Sequence, residues 1–454
     1  MPIFKKKAPA QDAASDAKRV KIAFVALGCP KNQVNAERMM ADLTAAGFTI
    51  AESVFHGADA VIVNTCGFVD DAKKEAIDSI LEMVQLKQDD TVKKILVTGC
   101  LAQRYQDEIM AEIPEVDAVL GLGANDDIAD LMLQVLQEDT SVTQYPDLSC
   151  LKLSGARERM SPEHWAYLQI SDGCSNNCTY CSIPSIRGPL RCREIDDILS
   201  EAQQLAQSGV RELVLIAQDT TAYPNLPELL RALCQIDELR WIRLLYCYPD
   251  GMSDELIAVM AAEPKIVKYI DLPLQHADDR ILNAMGRRGT QADIIAVLGK
   301  LRKAMPGIAI RTTFIAGFPG EDEQAFETLA AFVEEQRFAR MGAFAFSPQE
   351  GTPAYDMPGQ VEPETAQQRV EILTQQQAAI ALQLMQESVG QTLEVMVQEY
   401  DTYTDSYIGR STADAPEIDG LVLFTGREHL HAGDVAQVEI LGTKEDWLVG
   451  KIAG

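Results

Sequence analysis

The apolar residues of the first 145 positions fall into short β-branched runs, each followed by an amphipathic stretch. Three runs close on a cysteine: VKIAFVALGC at Cys29, ADAVIVNTC at Cys66 and KKILVTGC at Cys100. Runs that are apolar throughout indicate strands covered on both faces, as in a parallel α/β sheet. A shorter run, VDAVLGLG, is a further strand candidate. We therefore predict an N-terminal parallel α/β domain over residues 19–145.

A second series of alternating strands and helices follows between about 160 and 360. The strand candidates are RELVLIAQDT, LRWIRLLYCYP, VKYIDLPLQ, GIAIRTTFIAGFPG and GAFAFSPQ. Repeated βα units of this length predict a barrel, or part of one, of the triosephosphate-isomerase (TIM) type. Residues 363 to about 389 are rich in Gln, Ala, Leu and Glu and predict one long helix. We expect this central domain to span residues 160–385.

The two ends of the chain differ from these α/β regions. Residues 387–454 contain short alternating runs with turn residues between them, which predicts a small antiparallel β-barrel. Residues 1–18 predict a disordered leader without the apolar core of a secretory signal. Since no run of about 18 apolar residues occurs, we expect no membrane span and a cytoplasmic protein.

Charge gives the first indication of a partner. The formal net charge is −28, and an acidic surface repels phosphate backbones and attracts basic partners, although acidity can also serve solubility alone. Residues 387–454 hold thirteen Asp and Glu against four Lys and Arg, a net charge of −9. We expect this acidic segment to favour a basic protein over a nucleic acid. The acids expected to act in this way include Asp401, Asp405, Asp414, Glu417 and Asp419.

The ten cysteines indicate metal or redox chemistry, because disulfides are rare in a reducing compartment. Cys29, Cys66 and Cys100 each end a predicted parallel strand, and ligands of open α/β sheets bind at the carboxyl ends of strands. We therefore predict that the three thiols share a metal site. The alternative is three buried structural thiols, a common role for free cysteine.

The second cysteine group lies in SDGCSNNCTYCSIP, where Cys174, Cys178 and Cys181 are spaced C-x3-C-x2-C. A structural zinc ion is coordinated by four protein ligands, so three cysteines leave one coordination position to be filled. A zinc site completed by His164 or Cys192 is the alternative that the residues leave open.

The C-x3-C-x2-C spacing, with Tyr180 before the last cysteine, resembles the radical S-adenosylmethionine (SAM) enzymes. This resemblance implies that three thiolates hold a 4Fe-4S cluster. It also implies that the amino and carboxylate groups of SAM coordinate the fourth iron.

The likeness extends over nearly the whole chain, which resembles the methylthiotransferase family. Further matching stretches are SIPSIRGPLRCR, YIDLPLQHADDRILNAMGRRG, RTTFIAGFPGE and FSPQEGTPA. The resemblance implies that Cys29, Cys66 and Cys100 hold a second, auxiliary 4Fe-4S cluster, and that the terminal barrel is a TRAM domain engaging the substrate. It also implies a reducing electron donor such as a flavodoxin.

Two branches of that family differ in substrate. One acts on a modified adenosine in transfer RNA. The other methylthiolates the β-carbon of an aspartate in the twelfth protein of the small ribosomal subunit. The acidic terminal segment favours the second branch, because ribosomal proteins are basic and an RNA-binding barrel would need a basic stripe. A non-catalytic iron–sulfur or zinc adaptor is a hypothesis of another class.

Other residues have weaker signals. Tyr180 is expected to pack near the adenosyl group, although it could instead be a core aromatic residue. Gly317 to Glu321 (GFPGE) end a predicted barrel strand at the catalytic face and are candidates to contact the cosubstrate. Arg187, Arg191 and Arg193 are candidates to bind the cosubstrate carboxylate or an acidic target residue, or else belong to a solvated face. His276 is a substrate-contact or core residue. The remaining thiols have no pattern and are interpreted as structural: Cys150, Cys192, Cys234 and Cys247.

Overall fold

The computed structural model describes residues 20–137, 141–427 and 429–453. The predicted leader, residues 1–18, lies outside them. The chain divides into two compact units. The first unit runs to Met160 and also includes Ser182–Pro189, and the second consists of Ser161–Cys181 and Leu190–Gly454.

The first unit contains a parallel sheet, as predicted, with six strands where the apolar runs indicated four. Its spatial order is β2-β1-β3-β4-β5-β6, and every neighbouring pair is parallel. Ile62 and Leu96 face one apolar layer, and Val63 and Val97 face the other, so both faces of the sheet are covered. The strands are β1 (Lys21–Ala26), β2 (Thr49–Ile50), β3 (Ala58–Thr65), β4 (Val92–Gly99), β5 (Ala118–Leu120) and β6 (Val142–Gln144).

Helices cover this sheet and begin close to the ends of its strands. The helices of the unit are α1 (Pro30–Ala45), α2 (Asp70–Gln88), α3 (Cys100–Tyr105), α4 (Asp107–Glu112), α5 (Ile128–Gln137) and α6 (Ile183–Arg187). Pro30 occupies the first turn of α1, where its missing N–H costs nothing. Short 3₁₀ helices lie at Val54–His56, Leu122–Asp127 and Leu148–Cys150.

The second unit contains two three-stranded parallel sheets, ordered β11-β10-β7 and β12-β13-β14. This part-barrel arrangement confirms the prediction from the repeated βα units, although the pattern missed β7. The strands are β7 (Trp165–Gln169), β8 (Ser171–Asp172), β9 (Arg191–Cys192), β10 (Glu212–Ile216), β11 (Trp241–Leu244), β12 (Tyr269–Asp271), β13 (Ala309–Ala316) and β14 (Arg340–Ala345). The short strands β8 and β9 form an antiparallel pair.

One apolar core joins these sheets to their outer helices, with Leu215, Ile270 and Phe314 among its fully buried members. The helices are α7 (Ile195–Gln207), α8 (Leu226–Cys234), α9 (Asp254–Ala262), α10 (Asp279–Ala284), α11 (Gln291–Ala304), α12 (Glu323–Gln336) and α13 (Pro363–Glu387). The long helix α13 confirms the prediction for residues 363–389. Short 3₁₀ helices lie at Thr220–Ala222, Pro249–Gly251 and Pro353–Asp356.

The chain ends in a closed five-stranded barrel, ordered β15-β16-β17-β19-β18, as predicted. Its strands are β15 (Thr392–Asp401), β16 (Ser406–Ser411), β17 (Val422–Thr425), β18 (Val435–Lys444) and β19 (Trp447–Ile452). Closure leaves no free strand edge. Among the described residues, no helix is both long and apolar enough to span a bilayer.

Buried ion pairs connect this terminal barrel to the parallel strands of the same unit. Glu212 on β10 binds Arg410 of the barrel at 2.6 Å and Arg243 of β11 at 2.7 Å. The two arginines outweigh the effect of burial and hold the pKa of Glu212 below its ordinary value. Asp414 pairs with Arg340 at 2.6 Å, and Asp419 accepts a hydrogen bond from Tyr269 at 2.7 Å.

These contacts correct one expectation from the sequence. The side chains of Asp414 and Asp419 are only 3% and 2% exposed, so they hold the barrel in place and cannot attract a partner. Glu417 is exposed and accepts a hydrogen bond from Tyr167. The acids at Asp401 and Asp405 remain at the surface of the barrel.

Candidate active site: two groups of three cysteines

The first cysteine group lies at the carboxyl ends of three adjacent strands, as predicted. Cys29 follows β1 and caps α1, Cys66 follows β3, and Cys100 begins α3 directly after β4. A Cβ on Gly28, next to Cys29, would lie 3.0 Å from the sulfur of Cys66, and a Cβ on Gly67, next to Cys66, would lie 3.1 Å from the carbonyl carbon of Cys100. The structure therefore brings together three residues that are separated by more than thirty positions each.

The three thiols have unequal surroundings. Burial opposes ionisation of Cys29, but the cations Lys31 and Arg187 outweigh it and hold the pKa of this thiol below its ordinary value. Burial, together with Cys100, raises the pKa of Cys66 to about 11. One side of the group is thus electropositive, which favours bound thiolate or another anion there.

Two glycines allow the strand ends to approach each other closely. Gly28 has φ +89°, and a Cβ there would lie 2.7 Å from the Cβ of Cys66. Gly99 has φ +95°, and its Cβ would lie 2.4 Å from the carbonyl oxygen of Thr65. Only glycine suits such close approach with a left-handed backbone.

Asn32 connects the loops of this group, and sequence reasoning missed it. Its Nδ2 donates to the carbonyl oxygens of Leu27 at 2.7 Å and of Asn64 and Thr65 at 3.2 Å. Its position three residues after Cys29, at the first turn of a helix, was the only signal in the sequence. Arg187 is buried in this same unit, with its NH2 group 3.5 Å from Oδ1 of Asn32.

The second group, Cys174, Cys178 and Cys181, lies on an irregular loop after β8. The backbone N–H of Asn176 points at the sulfur of Cys174 at 3.4 Å, and its Nδ2 donates to Asp219 at 2.6 Å. The turn after α10 supports the other side of the loop. There, the N–H and hydroxyl of Thr179 donate to the carbonyl oxygens of Met285 at 3.0 Å and Ala284 at 2.8 Å.

Two residues that the sequence did not single out lie against Cys178. The hydroxyl of Tyr248, from the loop after β11, is 3.1 Å from the Cys178 sulfur. The guanidinium of Arg287 stacks over the Tyr248 ring at 4.0 Å from its centre. Both residues are distant from Cys178 in sequence, so no spacing pattern reveals them.

Tyr180 packs in an aromatic cluster. Its ring packs edge to face against that of Phe318, with 6.5 Å between the ring centres. The ring of Phe318 packs in turn against that of Phe346, with 5.2 Å between the centres. The contact with the adenosyl group stays a prediction.

The GFPGE segment forms a turn that is stabilised from within. Gly317 has φ +77°, and its N–H donates to both carboxylate oxygens of Glu321 at 3.0 Å. Arg369 of α13 and His276 reach the same carboxylate at 2.7 and 3.1 Å. The protein thus satisfies Glu321 by itself, and His276 is fully buried. A contact of Gly317 or Glu321 with the cosubstrate stays a prediction.

The remaining candidates have structural surroundings. Arg193 is buried and pairs with Asp197 and Glu201, each at 2.7 Å, while Arg191 pairs with Asp172 at 3.3 Å. Neither arginine therefore belongs to a solvated face. Cys234 and Cys247 are buried in the core, whereas Cys150 and Cys192 are exposed.

Each donor set consists of three thiols, the side chains that ligate iron–sulfur clusters in proteins. Among the described residues, no three His, Cys, Asp or Glu side chains converge closely enough for one metal ion. With Zn–S bonds of about 2.3 Å, one zinc ion would draw its thiolates within roughly 4 Å of each other. A 4Fe-4S cluster binds each thiolate through a different iron and accepts a wider spacing. Moreover, His164 precedes β7, at the other end of that strand from Cys174.

Comparison with known proteins covers all three regions of the chain. Residues 168–333 match the Radical SAM superfamily, and residues 389–452 match the TRAM domain. Residues 21–121 match a family described as "Uncharacterized protein family UPF0004". Membership of the Radical SAM superfamily implies a 4Fe-4S cluster and SAM.

Among solved structures, the radical S-adenosylmethionine methyltransferase TsrM from Kitasatospora setae is similar, with a TM-score of 0.58 and 14% sequence identity. The match covers 74% of this chain and 77% of that one. At this identity, the likeness supports the radical SAM fold alone.

Proteins named ribosomal protein uS12 methylthiotransferase RimO match almost from end to end. The protein from Desulforamulus reducens is 45% identical over 441 residues, and that from Clostridioides difficile is 42% identical over 441 residues. Each match covers 95% of this chain and 99% of the relative. The chain belongs to the family of ribosomal protein uS12 methylthiotransferases.

Proposed function

We propose that the protein methylthiolates the β-carbon of an aspartate in ribosomal protein uS12 by radical SAM chemistry. The observation that carries this proposal is the pair of three-thiol groups, one in each unit, in a chain that matches uS12 methylthiotransferases over 95% of its length. An aliphatic C–H bond has no proton that a side-chain base can remove near neutral pH, so a hydrogen-atom abstraction is needed.

Cys174, Cys178 and Cys181 would hold the cluster that binds SAM. When bound, that cluster would supply the one-electron chemistry that cleaves SAM and allows a hydrogen atom to be removed from the substrate. The chain itself contributes three thiolates and a loop held by Asn176 and Thr179. The aromatic cluster of Tyr180 offers an apolar surface for an adenosyl group.

Cys29, Cys66 and Cys100 would hold the auxiliary cluster, which would supply the sulfur of the methylthio group, while a second SAM would supply its methyl group. The electropositive side of this group, with buried Lys31 and Arg187, suits an anionic sulfur species. A reducing donor such as a flavodoxin would supply the electrons.

The acidic surface of the terminal barrel favours a basic protein as substrate. Its exposed acids include Glu399, Asp405, Asp434, Glu445 and Asp446, which outnumber its exposed cations Arg427, Lys444 and Lys451. An RNA surface would require exposed cations instead. Methylthiolation of a modified adenosine in transfer RNA is the alternative that the family leaves open.

Mass spectrometry tests the proposal. Protein reconstituted anaerobically with iron and sulfide is incubated with SAM, dithionite and purified uS12, and uS12 is then digested and sequenced by tandem mass spectrometry. We expect one aspartate to gain a methylthio group in place of hydrogen, together with formation of 5′-deoxyadenosine.

Transfer RNA serves as the competing substrate in a parallel reaction. Modified RNA beside unmodified uS12 would contradict the proposal and favour the alternative. Absence of 5′-deoxyadenosine from protein with a full iron content would instead indicate an adaptor without catalysis.

A further inference from the structure

The three thiols of the second group differ in the polar groups around them. Cys174 meets a backbone N–H at 3.4 Å. Cys178 meets the phenol hydroxyl of Tyr248 at 3.1 Å and interacts electrostatically with Arg287. Tyr248 and Arg287 thus place a hydroxyl group and a positive charge near Cys178.

Arg287 is held in place by contacts on two sides. Its NH2 group donates to the carbonyl oxygen of Pro273 at 2.6 Å, and its plane stacks on the Tyr248 ring. Gly286 before it has φ +69°, and a Cβ there would lie 2.8 Å from the carbonyl oxygen of Asn177. This turn therefore contacts the cysteine loop as closely as backbone atoms permit.

One nitrogen of this guanidinium indicates an anion nearby. Arg287 is only 8% exposed, and its NH1 group is buried without a hydrogen-bond partner in the protein. Burying a cationic donor in this way is costly unless negative charge is present. A thiolate at Cys178, carrying a cluster of net negative charge, would supply that charge.

We propose that Tyr248 and Arg287 raise the reduction potential of the cluster held by Cys174, Cys178 and Cys181, and so act as positioning residues through Cys178. Tyr248 donates a hydrogen bond to the thiolate, and Arg287 contributes a buried positive charge. Reduction by the external donor adds one electron, hence one negative charge, and both groups stabilise the more negative state. The inference rests on the proposed function, because it requires that these cysteines bind the cluster.

The test is a redox titration of the full chain, reconstituted anaerobically and followed by electron paramagnetic resonance. The relevant cluster is identified as the one whose signal is lost when Cys174, Cys178 and Cys181 are replaced with Ala. We expect Tyr248→Phe to shift its midpoint to lower potential, with iron content unchanged, because the ring on which Arg287 stacks is retained.

Tyr223→Phe is the matched control, since the Tyr223 hydroxyl is also buried but donates to the carbonyl oxygen of Arg193 at 2.8 Å. This control should keep the wild-type potential. A second pair of variants tests the charge of Arg287. Arg287→Gln should lower the reduction potential, whereas Arg287→Lys, which keeps the positive charge, should give a potential close to the wild-type value.

A wild-type midpoint in both Tyr248→Phe and Arg287→Gln, each with full iron, would overturn the proposal. Loss of the cluster from Tyr248→Phe would also contradict it, because the hydroxyl would then hold the site together and not tune it. Failure of the unmutated protein to form a SAM-responsive cluster would count against the proposed function itself.

Discussion

Glu321 illustrates how one residue can belong to a functional segment without contacting a ligand. Its carboxylate is fully buried and is bound by the N–H of Gly317, by His276 and by Arg369. Breaking a buried ion pair leaves an uncompensated charge, which costs more than the pair itself contributes. Glu321 is therefore positioned to hold the turn after β13, whatever else binds there.

We expect Glu321→Gln to destabilise the protein by about 3 kcal/mol, because Arg369 keeps its charge and loses its buried partner. The midpoint of urea unfolding of the reconstituted protein measures this effect. Glu323→Gln is the control, because Glu323 also pairs with Arg369, at 3.5 Å, but its side chain is 77% exposed. This change should alter the free energy of unfolding by no more than about 0.5 kcal/mol. A stable Glu321→Gln variant with weakened SAM binding would instead support direct cosubstrate contact.

The site residues that the sequence revealed are those carried by local spacing. The C-x3-C-x2-C group lies within eight residues, and the other three cysteines each end a recognisable apolar run. Tyr248 lies 70 positions from Cys178, and Arg287 lies farther still, so no periodicity or spacing connects them. Arg187 lies only six residues after Cys181 in the sequence but belongs to the first unit. Its position next to Cys181 in the sequence therefore gives no indication of this.

At the scale of secondary-structure elements, most of the longer strands were predictable because they contain apolar runs rich in β-branched residues. The prediction missed the two- and three-residue strands β2, β6, β8 and β9, and it missed β7 (WAYLQ), which is fully buried but contains no β-branched residue. The acids of the terminal barrel were less predictable, since a count of charges treats every acid as exposed. Asp414 and Asp419 look like their neighbours in sequence, but arginines of the parallel strands pair with them.

This division of the acids determines which of them a charge-reversal experiment should target. We expect reversal of the exposed Glu399, Glu445 and Asp446 to Lys to slow association with uS12 about tenfold at low salt, because steering depends on surface charge. SAM cleavage without substrate should be nearly unchanged. Association rates measured by surface plasmon resonance at several salt concentrations test this expectation.

The matched control reverses three exposed acids of α2, Glu75, Asp78 and Glu82, and should leave the association rate unchanged. Reversal of Asp419, in contrast, should unfold the junction, since it places a cation against Arg311 and Arg340. Equal association of native and charge-reversed barrels with uS12 would refute recruitment by the barrel. Salt-sensitive binding of transfer RNA to the native protein would favour the RNA substrate.

At the scale of the whole molecule, the two cysteine groups belong to different folding units with separate apolar cores. Each group is held by its own loops: Asn32 and two glycines support the first, while Asn176, Thr179 and the turn after α10 support the second. Neither set of supporting contacts includes a residue of the other group. Loss of one cluster should therefore leave the other able to assemble.

Two triple variants test this independence. Replacing Cys29, Cys66 and Cys100 with Ala should halve the bound iron and sulfide yet leave some SAM cleavage, because the second unit keeps its thiolates. Replacing Cys174, Cys178 and Cys181 should also halve the iron, but should abolish 5′-deoxyadenosine formation. Iron assays and chromatography of the products measure both results.

The exposed cysteines provide the control, since replacement of Cys150 and Cys192 with Ala removes two thiols outside both groups and should leave the iron content unchanged. Full iron in the first triple variant would contradict an auxiliary cluster at Cys29, Cys66 and Cys100. Loss of all iron from either variant would contradict independent assembly, because it would mean that one group forms only when the other is filled. If separate loops support the two groups, each triple variant should keep half the iron. Only the first variant should still cleave SAM.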